Sequence, residues 1–223
     1  MIDSALQRLN MVESQIRPSD ITDRRILRGM QSILREQFVP ASLAQLAYMD
    51  DAVPLLDGSH GLNGSMRTMM SPRTLAKLLQ IARIEASAHV LVVGCGRGYG
   101  AALLAQIAEN VVAVESHLEL VTAAQSALAA MANVTVVAGD LSMGCPVRGP
   151  YDVIVVEGAV SAAPAALLAQ LKPGGRLVAI VAGGAVGQAT VWQRVGDTFG
   201  QTAAFEANVA ILPGFEAAPA FLF

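Results

Sequence analysis

An α/β fold, doubly wound around a mostly parallel sheet, is what this chain predicts, and three observations predict it. From residue 90 onward, short apolar runs alternate with alanine- and leucine-rich stretches of helical period, the pattern of a parallel sheet covered on both faces. The first run, Val90 to Val93, leads straight into glycines at 94, 96, 98 and 100. The composition is 53% hydrophobic and 15% charged, against roughly a quarter charged in ordinary globular chains. With 223 residues there is ample material for one large core. A single domain over residues 1–223 is expected, with 1–70 a helical and loop extension and 71–223 the sheet core.

The elements follow in order. Ile2 to Gln15 reads as a helix closed by Arg17-Pro18, and Thr22 as the cap of a second with Ile26, Leu27, Met30, Ile33 and Leu34 at helical spacing. Phe38-Val39-Pro40 breaks it, and Ala41 to Tyr48 forms a short third. Met49 to Arg67 dissolves into Asp, Gly, Ser, His and Asn, an irregular loop of a length more often functional than accidental. Ser71-Pro72 opens a clear helix, serine as cap and proline at its first position. Strands are then expected at Val90–Val93, Val111–Val114, Val134–Val137, Tyr151–Val156 and Arg176–Val181. Between them fall helices at Tyr99–Ala108, from a Ser116/Glu119 capping box to Met131, and at Pro164–Leu171. Asp140–Pro150 is a loop. Thr190–Val195 and Phe199–Phe205 around Gly196-Asp197 read as a hairpin that ends the sheet with an antiparallel pair.

Bulk properties exclude several function classes. Net charge is −3 with no basic run, so nucleic acid is not an expected partner. No apolar run reaches the roughly 18 residues that cross a bilayer, and residues 1–18 carry mixed charge, unlike a signal peptide or anchor. Neither Cys95 nor Cys145 sits at metal-ligand spacing or in a disulfide framework; a reduced cytoplasm is expected, with no metal and no membrane partner. The apolar tail ILPGFEAAPAFLF suits packing on the domain or against a second copy, which leaves a homodimer open.

A strand, a glycine turn and a helix start make a ligand site, because missing Cβ atoms admit a ligand to the backbone and the helix offers unpaired N–H groups. The dinucleotide fingerprint requires glycine or alanine where this chain has Tyr99, which disfavours NAD and FAD. Two acids sharpen the reading. Glu115 ends the second strand 21 residues beyond Gly94, where a carboxylate accepts both ribose hydroxyls. Asp140 follows the third strand and can receive an exocyclic amine. Either acid alone is an ordinary strand-end turn residue; with the glycine loop they outline a nucleoside site on three successive strands.

VLVVGCGRGYGAALLA, VVAVES, VVAGDL, YDVIVVEGAV and LLAQLKPGGRLV resemble the successive motifs of class I S-adenosylmethionine-dependent methyltransferases. REQFVP, RTMMSPRTLAKLLQ, the tyrosine of GRGYG and GDLSMGCP make the chain similar to protein-L-isoaspartate O-methyltransferases within that superfamily. The resemblance covers roughly residues 10–182. It implies a seven-stranded sheet and a cofactor, S-adenosylmethionine, held by Gly94, Cys95, Gly96, Gly98, Glu115, Ser116, Asp140 and Leu141. The implied substrate is a protein or peptide carrying isoaspartate. Methyl transfer to a carboxylate is an in-line displacement, and a carboxylate of pKa about 3.9 needs no general base. Rate then comes from alignment and exclusion of water by the loop around 57–70.

Three positions depart from the family pattern. Val92 stands where an acid usually helps hold the cofactor's amino group, a loss of about 1.5–3 kcal/mol. Thr68 and Pro72 align with the substrate-side motif, but its serine position holds Met70, and Ser71, one residue late, fits the helix cap. Glu157 replaces a small residue after the fourth strand, where it would repel a carboxylate substrate or attract a cationic one. Thr68, Met70, Ser71 and Glu157 are therefore the substrate-side candidates, and the departures admit a relative with another small acceptor or a non-catalytic binding protein. His60 reads as a solvated loop residue, His89 and His117 as surface residues, Cys95 and Trp192 as packing residues, and Met66, Met69 and Met70 as loop-burying hydrophobes.

Overall fold

Residues 4–57, 67–183 and 185–217 are described by a computed structural model. Helix α1 (Ser4–Met11) continues through a wider turn, Val12–Ile16, and a tight one, Arg17–Ser19, that takes in Pro18. Helix α2 (Arg24–Ser32) is capped by Asp23 rather than Thr22: the Asp23 carboxylate accepts the Arg25 N–H at 2.8 Å. Thr22 instead turns its own N–H to the Gln80 side chain at 2.7 Å.

The expected loop from Met49 to Arg67 contains a strand. β1 (Val53–Pro54) pairs antiparallel with β2 (Thr68–Met69), Val53 opposite Met69, and the Leu55 N–H donates to the Arg67 carbonyl at 2.9 Å. Val53, Leu55 and Met69 are buried; so short an apolar run among polar residues leaves no period to read. Residues 58–66, with His60 and Met66, lie outside the described residues. Ser71 caps α3 (Pro72–Ala82) as expected, accepting the Thr74 N–H at 3.3 Å, with Leu75, Leu78, Leu79 and Ala82 buried.

The alternation follows: β3 (His89–Val93), α4 (Tyr99–Ala105), β4 (Asn110–Glu115), α5 (Leu118–Leu128), β5 (Val134–Ala138), β6 (Tyr151–Val160), α6 (Ala165–Leu168) and β7 (Leu171–Val181). The hairpin β8 (Gln188–Val195) and β9 (Thr198–Glu206) completes a seven-stranded sheet ordered β5-β4-β3-β6-β7-β8-β9, antiparallel only at its last two pairings. The central strands are apolar from Val90 to Val93 and from Val111 to Val114 because both faces are covered there, whereas the edge strand β9 is largely exposed. Val90 and Val92 pack with α3, α4 and the N-terminal helices, while Leu91 and Val93 pack with Tyr151, Trp192 and Leu212.

The Ser116/Glu119 capping box does not form. His117 occupies the cap of α5 without a side-chain bond, and the Ser116 and His117 N–H groups go to the Glu115 carboxylate at 2.9 and 3.1 Å. The buried Glu115 carboxylate thus takes the Ser116 N–H that the Glu119 side chain would accept in a capping box. Glu119 reaches Arg97 instead, at 3.6 Å. The described part of the tail packs on the domain: Ile211 bridges to Ala159, and Leu212 and Phe215 are buried. Residues 218–223 lie outside the described residues. Among the described residues no helix is long and apolar enough to cross a membrane.

Candidate functional site

Strand order reverses at β3, which has β4 on one side and β6 on the other, both parallel to it. Ligands of open α/β sheets bind beyond the carboxyl ends of the strands at such a switch point. Here that edge carries the glycine loop, with Glu115 at the end of β4, Asp140 just past β5 and Glu157 near the end of β6. The loop turns through positive φ at Gly94 (+76°), Gly96 (+57°) and Gly98 (+99°), a region that only glycine enters at little cost.

Glu115 is fully buried and fully engaged. Its Oε1 accepts Arg67 Nη1 at 2.9 Å and the two α5 N–H groups, and its Oε2 accepts Arg67 Nη2 at 2.6 Å and the Gly96 N–H at 2.9 Å. Arg67, also buried, reaches the Gly94 carbonyl at 3.3 Å as well. Sequence reasoning missed Arg67. Its signal was weak: one arginine at the end of a polar loop, whose partner lies 48 positions away.

The space that the glycines open is filled by the chain itself. A Cβ on Gly94 would lie 2.8 Å from Leu212, one on Gly96 2.6 Å from Leu55, and one on Gly98 2.7 Å from Leu128. Gly98 thus serves the approach of α5, and Gly94 and Gly96 admit side chains from the tail and from the segment after β1. Two cavities of about 10 Å³ each remain, each the size of one water. Both are lined by Thr68 and Glu157; one adds Gly94, Cys95, Gly96 and Tyr99, the other Arg67, Met70 and Leu212. Larger clefts of about 490 Å³ lie at the amino ends of the strands, around Arg83, Asp152 and Arg176, and between α3 and the hairpin. They lie away from the glycine loop, and the strand direction favours the small cavities as the site.

Tyr99, which replaces the packing glycine of a dinucleotide fold, is buried and turned to the N-terminal segment: its ring meets Phe38 edge-on at 5.6 Å and lies under the Arg35 guanidinium at 4.7 Å. Arg35 is itself fully buried, donating Nε to the Ala47 carbonyl and Nη2 to that of Met70. Burial pushes the Tyr99 phenol up and the Arg35 guanidinium down from their ordinary pKa values.

The other candidates separate. Thr68, Met70 and Glu157 come together, while Ser71 is occupied as the α3 cap. Asp140 is exposed, its Oδ1 taken by the Ser142 N–H and hydroxyl, and Leu141 beneath it is buried. Cys95 is buried, and burial next to Glu115 and Glu157 pushes its thiol well above the ordinary pKa. His89 stacks on Tyr151 at 4.9 Å, and Trp192 is buried in the sheet core. Among the described residues no cluster of acids, histidines and cysteines could hold a metal ion.

The donor set fits a nucleoside: an acid at the end of β4, flanked by a second acid past β5 on one side and the glycine loop after β3 on the other. As the chain stands, Arg67 occupies both carboxylate oxygens of Glu115, and Leu55 and Leu212 fill the space above the loop.

Comparison with known proteins bears on the family and the fold. Residues 7–206 match the family described as protein-L-isoaspartate(D-aspartate) O-methyltransferase. A protein-L-isoaspartate O-methyltransferase of Herpetosiphon aurantiacus is 36% identical over 220 residues, 96% of this chain and 94% of that one. One of Koribacter versatilis is 39% identical over 176 residues, 78% of this chain and 76% of that one. A solved protein-L-isoaspartate O-methyltransferase superposes with a TM-score of 0.79 at 24% identity, over 93% of this chain and 66% of its own length. A Plasmodium falciparum structure described as a protein of the same kind in complex with S-adenosyl-L-homocysteine gives 0.76 at 16% identity, covering 95% and 99%. At these identities the two structures speak for the fold.

Proposed function

The chain belongs to the protein-L-isoaspartate(D-aspartate) O-methyltransferase family, and from that membership we propose that it is an S-adenosylmethionine-dependent methyltransferase acting on isoaspartyl carboxylates of proteins and peptides. The observation that carries the reading is the edge formed by Gly94–Gly98, Glu115 and Asp140 on three adjacent strands of the family's sheet. When bound, S-adenosylmethionine supplies an activated methyl group. Glu115 would hold its ribose and Asp140 with Leu141 its base, once Arg67 and Leu212 move from the positions described.

The chain's own residues have little acid–base work to do. An acceptor carboxylate of ordinary pKa, about 3.9, is ionised at neutral pH, so no side chain need remove a proton. What remains is alignment and exclusion of water. Thr68 and Met70 line the substrate side, and the segments of Leu55 and Leu212 close over the loop. A cytoplasmic setting belongs to this reading and is supported by two free, buried thiols, Cys95 and Cys145.

Met70 favours a second reading, a relative acting on another acceptor, because a buried thioether stands where the resemblance places a hydroxyl. Transfer of labelled methyl from S-adenosylmethionine to an isoaspartyl peptide, with the aspartyl peptide as control, decides between the two. Methylation of the isoaspartyl peptide alone is the expected result. No transfer, alongside measurable cofactor binding, would overturn the first reading and leave the second, or a binding protein that no longer catalyses.

A further inference from the structure

Among the described residues, Glu157 is an acid whose buried Oε1 finds no hydrogen-bond partner. Strand β6 pairs with β7 as Val155 opposite Val178 and next as Ala159 opposite Ile180, so extra residues of β6 bulge out between them. Such bulges re-aim side chains, often beside a site. This one sets Glu157 against the start of α4, where a Cβ on Gly100 would collide with its carboxyl group. Solvent reaches part of the residue, but Oε1 is sealed and has no hydrogen-bond partner. Burial is the main cause that lifts its pKa to about 8.

The groups facing it leave it uncommitted. Arg35 spends Nε and Nη2 on backbone carbonyls, and its Nη1 and the Tyr99 hydroxyl are likewise sealed without partners. Arg67 is taken by Glu115, whose two oxygens are fully engaged, and Cys95 is a thiol held protonated. Of the two acids at the loop, only Glu157 has an oxygen to offer a ligand cation.

Strand order indicates which cation. A nucleoside with its base past β5 and its ribose at β4 must extend its remaining atoms over β3 toward β6. Glu157 lies two strand spacings from the ribose acid, about 10 Å. That span reaches the far, amino-acid end of S-adenosylmethionine; its sulfonium, bonded to the ribose 5′-carbon, stays nearer β4.

Resting on the cofactor reading above, we propose that Glu157 receives the α-ammonium group of the cofactor's amino-acid end. A carboxyl that is protonated in the free protein gives up its proton to solvent when the ammonium arrives, and the ion pair remains.

Calorimetric titration at pH 7 tests this, run in two buffers of different ionisation heat. The ligands are S-adenosylmethionine, which has both the ammonium and the sulfonium, S-adenosylhomocysteine, which has the ammonium but no sulfonium, and 5′-methylthioadenosine, which has neither. Wild type is expected to release a proton on binding S-adenosylhomocysteine and none on binding methylthioadenosine. Glu157→Gln, close in shape and neutral, should bind S-adenosylhomocysteine about ten- to a hundredfold more weakly, without proton release, and bind methylthioadenosine unchanged. Glu157→Asp should recover part of the loss. Equal affinity of wild type and Glu157→Gln for S-adenosylhomocysteine overturns the assignment alone. So does equal weakening of all three ligands, or a loss seen only with S-adenosylmethionine, which would point to the sulfonium. A wild type that binds none of these ligands overturns the cofactor reading and this inference with it.

Discussion

Arg67 grips Glu115 with both arms of its guanidinium, Nη1 to Oε1 at 2.9 Å and Nη2 to Oε2 at 2.6 Å, and both side chains are buried. A fork of two parallel N–H donors on a carboxylate occupies the lone pairs that the two hydroxyls of a ribose would use. On the cofactor reading proposed above, the ion pair and a bound nucleoside would be alternatives at one acid.

Replacing Arg67 by methionine strands that acid. Its backbone donors remain, so the expected loss of stability is about 3 kcal/mol, the low end for a broken buried pair. S-adenosylhomocysteine should then raise the melting temperature of Arg67→Met by more than it raises that of wild type, since ribose no longer displaces a guanidinium. Scanning calorimetry with and without ligand measures both. An equal rise would show that Arg67 and the nucleoside do not compete.

Gly96 and Gly174 separate backbone strain from lost space. Both adopt positive φ, +57° and +79°, but a Cβ meets Leu55 at 2.6 Å in the first and nothing within 4 Å in the second. Gly174→Ala should cost about 1 kcal/mol from the left-handed backbone alone. Gly96→Ala should cost roughly 1–3 kcal/mol beyond that, the range for overpacking. Urea titration of the two variants gives the difference; equal losses would mean that Leu55 yields freely.

The Glu157 carboxyl links stability to pH. Its pKa is about 8 in the folded chain, against 4.5 for an ordinary glutamic acid, so between those values the folded state holds a proton that the unfolded state has lost. Stability from this group is therefore full below about pH 4.5 and declines as pH rises toward 8, by on the order of 3 kcal/mol after allowance for its partial exposure. Glu157→Gln should remove that slope and be the more stable protein at pH 8. Denaturant titrations at pH 5 and pH 8 report it, and parallel curves for the two proteins would refute it.

Neither cysteine should react in the native state. Cys95 and Cys145 are both buried, and the Cys95 thiol is held well above its ordinary pKa, whereas the reactive species is the thiolate. An aromatic disulfide reagent at pH 8 should label no thiol in native protein and two after unfolding. Rapid native labelling at Cys95 would mean that the loop opens readily.

The order of strands and helices from residue 71 onward, the Ser71 cap, the closing hairpin and the glycine loop with Glu115 and Asp140 beyond it could be read from the chain, because each rests on local period, turn chemistry or spacing along the sequence. The family could be read for the same reason: its motifs are contiguous runs. The two misplaced caps have different causes: Asp23, next to Thr22, caps α2 itself, and at Ser116 the buried Glu115 carboxylate takes the backbone donors. Val53–Pro54 was missed because two residues carry no period. Tertiary structure alone decided the state of the site. That Arg67 closes on Glu115, that Leu212 folds back over Gly94 and that Glu157 is left with a sealed, unpaired oxygen are consequences of packing between segments far apart in the chain. Such pairings follow from how distant segments pack on the sheet and from the cost of burying charge, and no local pattern of residues records them.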